Sequence, residues 1–248
     1  MFTAPGDRSS ALGDKLRLAI TTRAASAPRS RQSAVGLSEV GEVCVRKLAY
    51  KLLDWEKTLL QTDPWPAISG TAIHQWLADC FDDVYDGEEN KLYLVEHKVE
   101  AAPGLSGTVD LFDIANGMVI DHKCVGATSM KNRKRDGLTD QQRVQISLYA
   151  KGLENQGYEV KQVACAYYPL GGRLDGIHTE VEDYNRDLAE KAIERFEATK
   201  SLVFALDVES NPMNWLFLPA TPTFGCNYCS WYLPGSTDLS KGCPGEAA

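Results

Sequence analysis

Apolar and polar residues alternate along the chain with two periods, one helical and one extended. Apolar positions spaced three to four residues apart predict amphipathic helices in four segments: 38–52, 70–85, 139–157 and 184–206. Short apolar runs between them predict strands in four further segments: 92–99, 107–114, 118–124 and 160–168. Because helices and strands are interspersed, the pattern predicts an α/β fold with a mixed central sheet flanked by helices.

Two of the predicted helices carry capping signals at their ends. Ser38 can cap the first helix, whose apolar stripe repeats every four residues and turns the side chain of Cys44 inward. Thr139 and Gln142 have the spacing of a capping box, and Gly157 can close the same helix. These signals set the expected helix boundaries around the predicted strands.

The dipeptide Asn116-Gly117 separates two predicted strands and predicts a hairpin with a type I′ turn. A turn centred on these residues pairs Asp110 with Lys123 and Phe112 with Asp121. Since side chains alternate along a strand, both aspartates and the lysine then lie on one face of the sheet. A register shift of one residue would separate them.

This predicted face has the chemistry of a divalent cation site. Asp110 and Asp121 offer hard oxygen ligands and His74 offers an imidazole, a set that suits Mg²⁺ or Mn²⁺. Lys123 beside such an ion can lower the pKa of an attacking water and help to neutralise a phosphate. The alternative is an exposed ion pair across the ladder. Glu96, on a neighbouring strand, either orients a metal ligand or lies in solvent.

Four motifs resemble the RecB-type branch of the PD-(D/E)XK nuclease superfamily: Gly70-Thr-Ala-Ile-His74, Gly107-Thr-Val-Asp110, Ile120-Asp121-His-Lys123 and Gln145-Ile-Ser-Leu-Tyr149. The resemblance spans roughly residues 38–243 and implies a restriction-endonuclease-like core. It implies metal ligation by His74, Asp110 and Asp121, with catalytic roles for these aspartates, Lys123, Gln145 and Tyr149. We expect the main-chain carbonyl of His122 to complete the ligands, and the rings of His97 and His122 to pack or face solvent.

Four of the seven cysteines form a second candidate site. Cys226-Asn-Tyr-Cys229 lets two thiolates reach one metal, and Cys243 before a proline is typical of cluster ligation. Cys44-Val-Arg-Lys-Leu-Ala-Tyr50 resembles a segment of the CRISPR-associated exonucleases of the fourth Cas family and of related phage and recombination iron-sulfur nucleases. The resemblance implies a [4Fe-4S] cluster, although Val45 replaces a frequent proline and the gap after Cys229 is longer.

Two alternatives for these cysteines stay open. Four thiolates would also hold Zn²⁺, and Cys44 on its apolar stripe can be a simple core thiol. The remaining cysteines have no partner spacing and are expected to be structural: Cys80, Cys124 and Cys165.

Charge restricts where DNA can bind. The net charge is -8, but the segment from Lys123 to Arg135 contains basic residues and no acidic one. Four of these are expected to contact the DNA backbone, with a solvated loop as the alternative: Lys131, Arg133, Lys134 and Arg135. The chain divides into a flexible basic arm at 1–36, a nuclease core at 37–210 and a cysteine-rich cluster-binding segment at 211–248.

Together these patterns favour a metal-dependent DNA exonuclease that acts on single-stranded ends in recombination, repair or CRISPR-type DNA processing. The alternative is a non-catalytic nucleic-acid-binding assembly subunit. No apolar run is long enough for a membrane span and no secretory signal is evident, so a cytoplasmic protein is expected. No phosphate-binding loop of the ATPase type occurs. Protein partners in recombination or CRISPR adaptation, and an oligomer, are left open.

Overall fold

The computed structural model describes residues 5–26, 35–58, 63–82, 84–86, 90–222 and 224–245. Seven α-helices occur in these ranges: α1 (Pro5–Ala25), α2 (Leu37–Val40), α3 (Val45–Leu52), α4 (Trp65–Phe81), α5 (Ala127–Asp136), α6 (Asp140–Asn155) and α7 (Arg186–Leu206). Seven strands accompany them: β1 (Tyr85–Asp86), β2 (Asn90–Lys91), β3 (Tyr93–Ala102), β4 (Leu105–Asp113), β5 (Met118–Val125), β6 (Gln162–Pro169) and β7 (His178–Asp183).

Five of the strands form one mixed sheet in the order β3-β4-β5-β6-β7. Strands β3, β4 and β5 are antiparallel neighbours, β5 and β6 are parallel, and β6 and β7 are antiparallel. Helices α5 and α6 join the parallel pair, as a crossover connection requires. The prediction of an α/β fold with a mixed sheet flanked by helices is confirmed. Strand β7 was not predicted because its sequence is short and mostly polar.

Helix α6 packs against the sheet and begins as the sequence predicts. The side chain of Thr139 accepts a hydrogen bond from the backbone N–H of Gln142, and the reciprocal half of the capping box is also present. The helix ends just before Gly157, whose φ is +93°. A Cβ on Gly152 would lie 2.6 Å from the side chain of Val99, so only glycine permits this close approach of α6 to β3.

The continuous helix predicted for residues 38–52 is wrong. The chain forms α2 and α3 instead, separated by residues 41–44. A Cβ on Gly41 would lie only 3.0 Å from atoms of Gln141 in α6. The chain therefore turns where its backbone meets α6, a tertiary contact that the apolar period does not encode.

This break corrects two expectations about individual residues. Gly36, not Ser38, is the residue that caps α2, and Ser38 lies within the helix. Cys44 is the N-cap residue of α3 in extended conformation and is half-buried, not turned into the main core from a helical stripe. Its position at a helix terminus leaves its sulfur available to a cavity.

Two other segments differ from their predictions. The polar segment expected to be a loop after the catalytic strand forms α5 after a one-residue connection at Gly126. Helix α4 begins earlier than predicted, and none of its side chains is fully buried, with Trp76 73% exposed. Cys80 on this helix is exposed, so its assignment as a core thiol is wrong, whereas Cys165 on β6 is buried.

The N-terminal region predicted as a flexible arm contains helix α1. Most of the linker predicted at 26–30 lies outside the described residues, as do 31–34. The flexibility of the arm stays a prediction. Among the helices that the structure describes, none has the length and apolar character needed to cross a membrane.

A second apolar core joins the C-terminal segment to α3 and to the end of α7. The ring of Tyr50 stacks between Trp215 and Trp231, at centroid distances of 4.2 and 5.5 Å. The indole of Trp55 donates to the carbonyl of Ser240 at 2.7 Å. Residues nearly 200 positions apart thus share one core, while the domain boundary placed at residue 210 stays a prediction.

Candidate active site and cysteine cavity

The hairpin of β4 and β5 builds the candidate site in a register two residues away from the predicted one. Asp113 pairs with Met118, so four residues, not two, form the turn. The Asp113 carboxylate accepts hydrogen bonds from the backbone N–H and the side-chain amide of Asn116 at 3.0 and 2.8 Å, which stabilises the wider turn. A two-residue shift preserves the alternation of faces. The three predicted polar residues therefore still line one cleft: Asp110, Asp121 and Lys123.

The cleft measures about 700 Å³ and is lined by side chains from helices and strands on one side of the sheet. It brings together every side chain to which the sequence assigned a metal or catalytic role: His74, Asp110, Asp121, Lys123, Gln145 and Tyr149. Helix α4 supplies the histidine, the hairpin supplies both aspartates and the lysine, and α6 supplies the glutamine and tyrosine one turn apart. Residues distant in sequence thus meet at one surface.

Asp121 is the buried centre of this arrangement, with only 1% of its surface exposed. Its carboxylate contacts the ammonium of Lys123 at 2.8 Å and accepts a hydrogen bond from the side-chain amide of Gln145 at 3.0 Å. The Cys165 thiol donates from the neighbouring strand at 3.6 Å. Burial raises the pKa of Asp121 to about 6, although the charge of Lys123 opposes this shift.

Asp110 lies between the histidine helix and the hairpin backbone. Its carboxylate accepts the backbone N–H of His122 at 2.7 Å and lies 3.6 Å from Nδ1 of His74. Burial alone would raise the pKa of Asp110, but contact with His74 and the backbone hydrogen bond outweigh it and lower the pKa. The same contact raises the pKa of His74. The two side chains therefore stabilise each other's charged forms.

The amide of Gln145 connects the remaining side chains. Its Nε2 also donates to the hydroxyl of Tyr149 at 2.9 Å, and its Oε1 lies 3.5 Å from Nζ of Lys123. Both α6 side chains are buried, with Gln145 7% exposed and Tyr149 6% exposed. Because each partner restricts the next, α6 fixes the direction of the lysine relative to Asp121.

His122 packs beneath the cleft, as expected for its ring. The ring is 4% exposed, and its Nδ1 lies 3.2 Å from the hydroxyl of Tyr168. Burial lowers the pKa of His122 to about 4, so the ring is neutral at pH 7. The ring of His97 instead contacts Gln156 at 2.7 Å, away from the cleft. Neither ring belongs to the polar cluster over the hairpin.

The donor atoms of the cleft fit a divalent cation. Within the part of the chain that the structure describes, one group of side chains has all its ligand atoms within 4.8 Å of one another: His74, Glu96 and Asp110. Oxygen and imidazole donors at this spacing are those that Mg²⁺ and Mn²⁺ accept. Asp121 and Lys123 lie on the same cleft surface beside this group. The sequence weighed Glu96 only as an orienting or solvent-exposed residue, and the structure places its carboxylate within 4.8 Å of ligand atoms of His74 and Asp110.

The four cysteines singled out in the sequence line a second cavity of about 260 Å³: Cys44, Cys226, Cys229 and Cys243. The backbone N–H of Cys229 donates to the carbonyl of Cys226 at 2.9 Å, which forms a tight turn between them. Burial raises the pKa of the Cys229 thiol. The expectation that Cys44 joins the three C-terminal cysteines across the chain therefore matches their positions.

Hydrogen bonds attach the C-terminal segment to α3 beside this cavity. Arg46 is buried, and its guanidinium donates to the carbonyl of Leu218 at 3.0 Å and lies 3.5 Å from Sγ of Cys243. The hydroxyl of Tyr50 donates to the carbonyl of Leu239. Because these donors are buried on one helix, each holds a distant loop in a defined place.

The predicted DNA-contacting residues lie on α5, but two of them have structural partners. Arg133 donates to the carbonyl of Gly137 at 2.8 Å, just beyond the helix C-terminus, and Arg135 pairs with Asp136. Basic side chains in a last turn also stabilise the helix dipole. Lys131 and Lys134 are exposed. These two lysines are the members of the run best placed to meet an external phosphate.

Comparison with known families decides the family of the chain. The family model of the PD-(D/E)XK nuclease superfamily matches residues 54–232, which cover the whole cleft hairpin and α6. The chain belongs to this superfamily. The match includes Cys226 and Cys229 but not Cys44 or Cys243.

Solved structures agree with this superfamily fold. The alkaline exonuclease LHK-Exo from Laribacter hongkongensis aligns with a TM-score of 0.51 at 10% identity, over 71% of this chain and 91% of that chain. A phage related exonuclease from Haemophilus somnus 129PT aligns with a TM-score of 0.48 at 13% identity, over 72% and 96%. The search of curated proteins finds no match. At 10% identity, the alignment with LHK-Exo shows a common fold.

Two residues that contact side chains of this PD-(D/E)XK cleft escaped prediction from the sequence, and Glu96 was weighed there only as an orienting or solvent-exposed residue. Cys165 reaches Asp121 because β6 pairs in parallel with β5, which places the two residues opposite each other. Tyr168 supports His122 from the same strand. Glu96 enters through an unusual backbone conformation, with a φ of +46°. Each depends on strand pairing or backbone geometry that no local motif reports.

Proposed function

We propose that this PD-(D/E)XK protein is a divalent-cation-dependent deoxyribonuclease that degrades DNA from its ends, with a preference for single strands. The observation that carries the proposal is the meeting of Asp110, Asp121, Lys123 and His74 in one cleft. The structural relatives described as exonucleases support end-directed cleavage. Single-strand preference follows from the motif resemblance and is the part that most needs a direct test.

The residues of the cleft have different proposed roles in hydrolysis. Asp110, Asp121 and His74, with the carbonyl of His122, would hold Mg²⁺ or Mn²⁺. When bound, such an ion makes water more acidic and stabilises negative charge on a phosphate. Lys123 is held at Asp121 with its side chain 30% exposed, so its ammonium can orient water and balance charge at the scissile phosphate.

Gln145 and Tyr149 have a positioning role in this proposal. The glutamine donates to Asp121 and accepts near Lys123, so it holds the acid and the lysine at a constant separation. Tyr149 takes the second proton of the same amide. Lys123 stays protonated, because the negative charges of Asp121 and Asp110 raise its pKa by more than burial lowers it. Lys123 therefore acts as an ammonium and does not serve as a neutral base.

We also propose that Cys44, Cys226, Cys229 and Cys243 hold a [4Fe-4S] cluster with a structural role. The four cysteines line one cavity of about 260 Å³, which has room for a group larger than a single ion, and the resemblance of the segment from Cys44 to Tyr50 to iron-sulfur nucleases favours a cluster over Zn²⁺. The cluster would connect the N-cap of α3 to the C-terminal segment. Such a connection stabilises the fold by restricting the unfolded chain.

The substrate proposal is tested by digestion of end-labelled oligonucleotides. Single- and double-stranded DNA, labelled at the 5′ or the 3′ end, is incubated with Mn²⁺ and with wild-type protein or the isosteric variant Asp121→Asn. We expect the wild type to degrade single strands fastest and the variant to be inactive, since the amide removes the central negative charge. The label that disappears first gives the polarity of cleavage.

A matched variant excludes a general effect of removing an aspartate. Asp183 ends β7 and is exposed, so Asp183→Asn should retain wild-type activity. Absence of cleavage by the wild type, or equal cleavage by wild type and Asp121→Asn, would contradict the nuclease proposal. Binding of DNA without cleavage would instead support an assembly subunit.

A further inference from the structure

Glu96 has a backbone conformation that is unusual for its place in the fold. It lies in the middle of β3 and has a φ of +46°, in the left-handed region that non-glycine residues seldom adopt. The strand register on either side is regular, since Val95 pairs with Leu111 and His97 pairs with Val109. Glu96 therefore departs from strand geometry at the level of Asp110.

This backbone conformation is found where the carboxylate of Glu96 lies close to His74 and Asp110. One ligand atom each from Glu96, His74 and Asp110 lie within 4.8 Å of one another, and all three residues line the cleft. Strained residues persist where the surrounding structure holds them, and they cluster at functional sites. A glutamate needed only for solubility would gain nothing from the strain.

The carboxylates of the cleft have different surroundings. The carboxylate of Asp121 is engaged by Lys123 and Gln145 and is almost completely buried. In the same cleft, Glu96 and Asp110 place two carboxylates next to the imidazole of His74. Two negative groups and one imidazole form a donor set that favours a divalent cation with hard ligands and tolerates Mn²⁺.

We propose that Glu96 is an additional protein ligand of the divalent cation, binding it together with His74, Asp110 and Asp121. This inference rests on the proposed function and adds a ligand that the sequence motifs do not contain. The cation is then held by residues from four elements, α4, β3, β4 and β5. The left-handed backbone at Glu96 is the feature that brings β3 into the site.

Direct measurement of Mn²⁺ binding tests this proposal without relying on cleavage. Free Mn²⁺ is followed by electron paramagnetic resonance during titration of wild type, Glu96→Gln, Glu96→Gly and Asp110→Asn. We expect the Kd for Mn²⁺ to rise at least ~10-fold in both Glu96 variants. Glu100→Gln is the matched control on the same strand. Glu100 accepts a backbone hydrogen bond from Gly104, which an amide oxygen can also accept.

The glycine variant separates ligation from a structural role. Glycine adopts positive φ readily, so the melting temperature of the metal-free Glu96→Gly protein should equal or exceed that of the wild type while Mn²⁺ affinity falls. A parallel loss of melting temperature and affinity would show that Glu96 acts only on the fold, and the proposal would fail. Wild-type affinity in both Glu96 variants would also overturn it.

The Asp110→Asn protein distinguishes failure of this inference from failure of the proposed function. If Asp110→Asn loses Mn²⁺ binding and both Glu96 variants keep it, the cation site stands and only the role of Glu96 is wrong. If the wild type binds no Mn²⁺, the cation-dependent nuclease proposal fails together with the role of Glu96. A weakened Kd confined to the Glu96 and Asp110 variants supports both.

Discussion

The nuclease cleft and the cysteine cavity gather side chains in opposite ways. The functional side chains of the cleft lie on strands and helices between residues 74 and 149, and they already hold one another through hydrogen bonds. The cavity joins residue 44 to residues 226–243, and its cysteines lie at a helix cap and in loops. The cleft is therefore preorganised by secondary structure, whereas the cavity depends on contacts across almost the whole chain.

The largest expected effect tests the cleft alone. Replacement of Lys123 by Gln removes the ammonium at Asp121 but keeps a polar side chain, and the rate of cleavage should fall by about 10²- to 10⁴-fold. Single-turnover digestion measures this rate. Visible absorption from the cysteine region should be unchanged, because the two regions use different side chains. Lys161→Gln, at an exposed lysine, is the control and should cleave normally.

Substitution of a cysteine tests the cysteine cavity alone. Cys226→Ser should remove the visible absorption of anaerobically purified protein. It should also lower the free energy of unfolding by a few kcal/mol, because the long loop between residues 44 and 226 is no longer closed. The melting temperature should therefore fall by ~5–10 °C. Calorimetry and absorption spectra measure both changes. Cys80→Ser, at an exposed cysteine of α4, should leave both unchanged. Colourless wild-type protein that contains zinc would contradict the cluster.

Most side chains of the cleft could be predicted, because the alternation of residues along strands and the repeat of helices determine which side chains share a face. The predicted hairpin register was wrong by two residues, but an even shift keeps side chains on the same face, so Asp110 and Asp121 still met. The capping box placed α6, and therefore Gln145, correctly. Local patterns sufficed wherever the site follows regular secondary structure.

Other features depend on contacts between elements, which local patterns do not contain. The break before Cys44 arises where Gly41 meets α6, and no residue of that segment is a helix breaker as strong as proline. Cys165 reaches the site only through the parallel pairing of two strands. The positive φ of Glu96 has no sequence signal, because left-handed positions are recognised through glycine or asparagine.

Acid should weaken the cleft before it affects the main fold. Burial raises the pKa of Asp121 to about 6, and contact with Asp110 raises the pKa of His74. Protonation of either group competes with a cation, so Mn²⁺ affinity should decline as the pH falls from 8 through 6. A titration of Mn²⁺ binding against pH measures this decline. His178→Gln, at a histidine on β7, should give the same profile as wild type. Constant affinity down to pH 5 would contradict the assignment of ligands.

The smallest expected effect concerns the DNA backbone. Replacing both Lys131 and Lys134 with Ala should weaken binding of single-stranded DNA only several-fold and reduce the slope of log K against log salt by about 0.7 per lost phosphate contact. Fluorescence anisotropy at several salt concentrations measures the slope. The matched pair Lys191→Ala and Lys200→Ala on α7 should leave it unchanged. An unaltered slope in the α5 variant would contradict the DNA contact and would mean that these lysines act only on the stability of the helix.

The break between α2 and α3 has a consequence for both cavities. Residues 36–39 form part of the wall of the nuclease cleft, and residues 42–44 form part of the wall of the cysteine cavity. The segment 36–44 thus contributes to the walls of both the nuclease cleft and the cysteine cavity. Substitutions in residues 40–43, which connect the two walls, are therefore expected to alter both the nuclease cleft and the cysteine cavity.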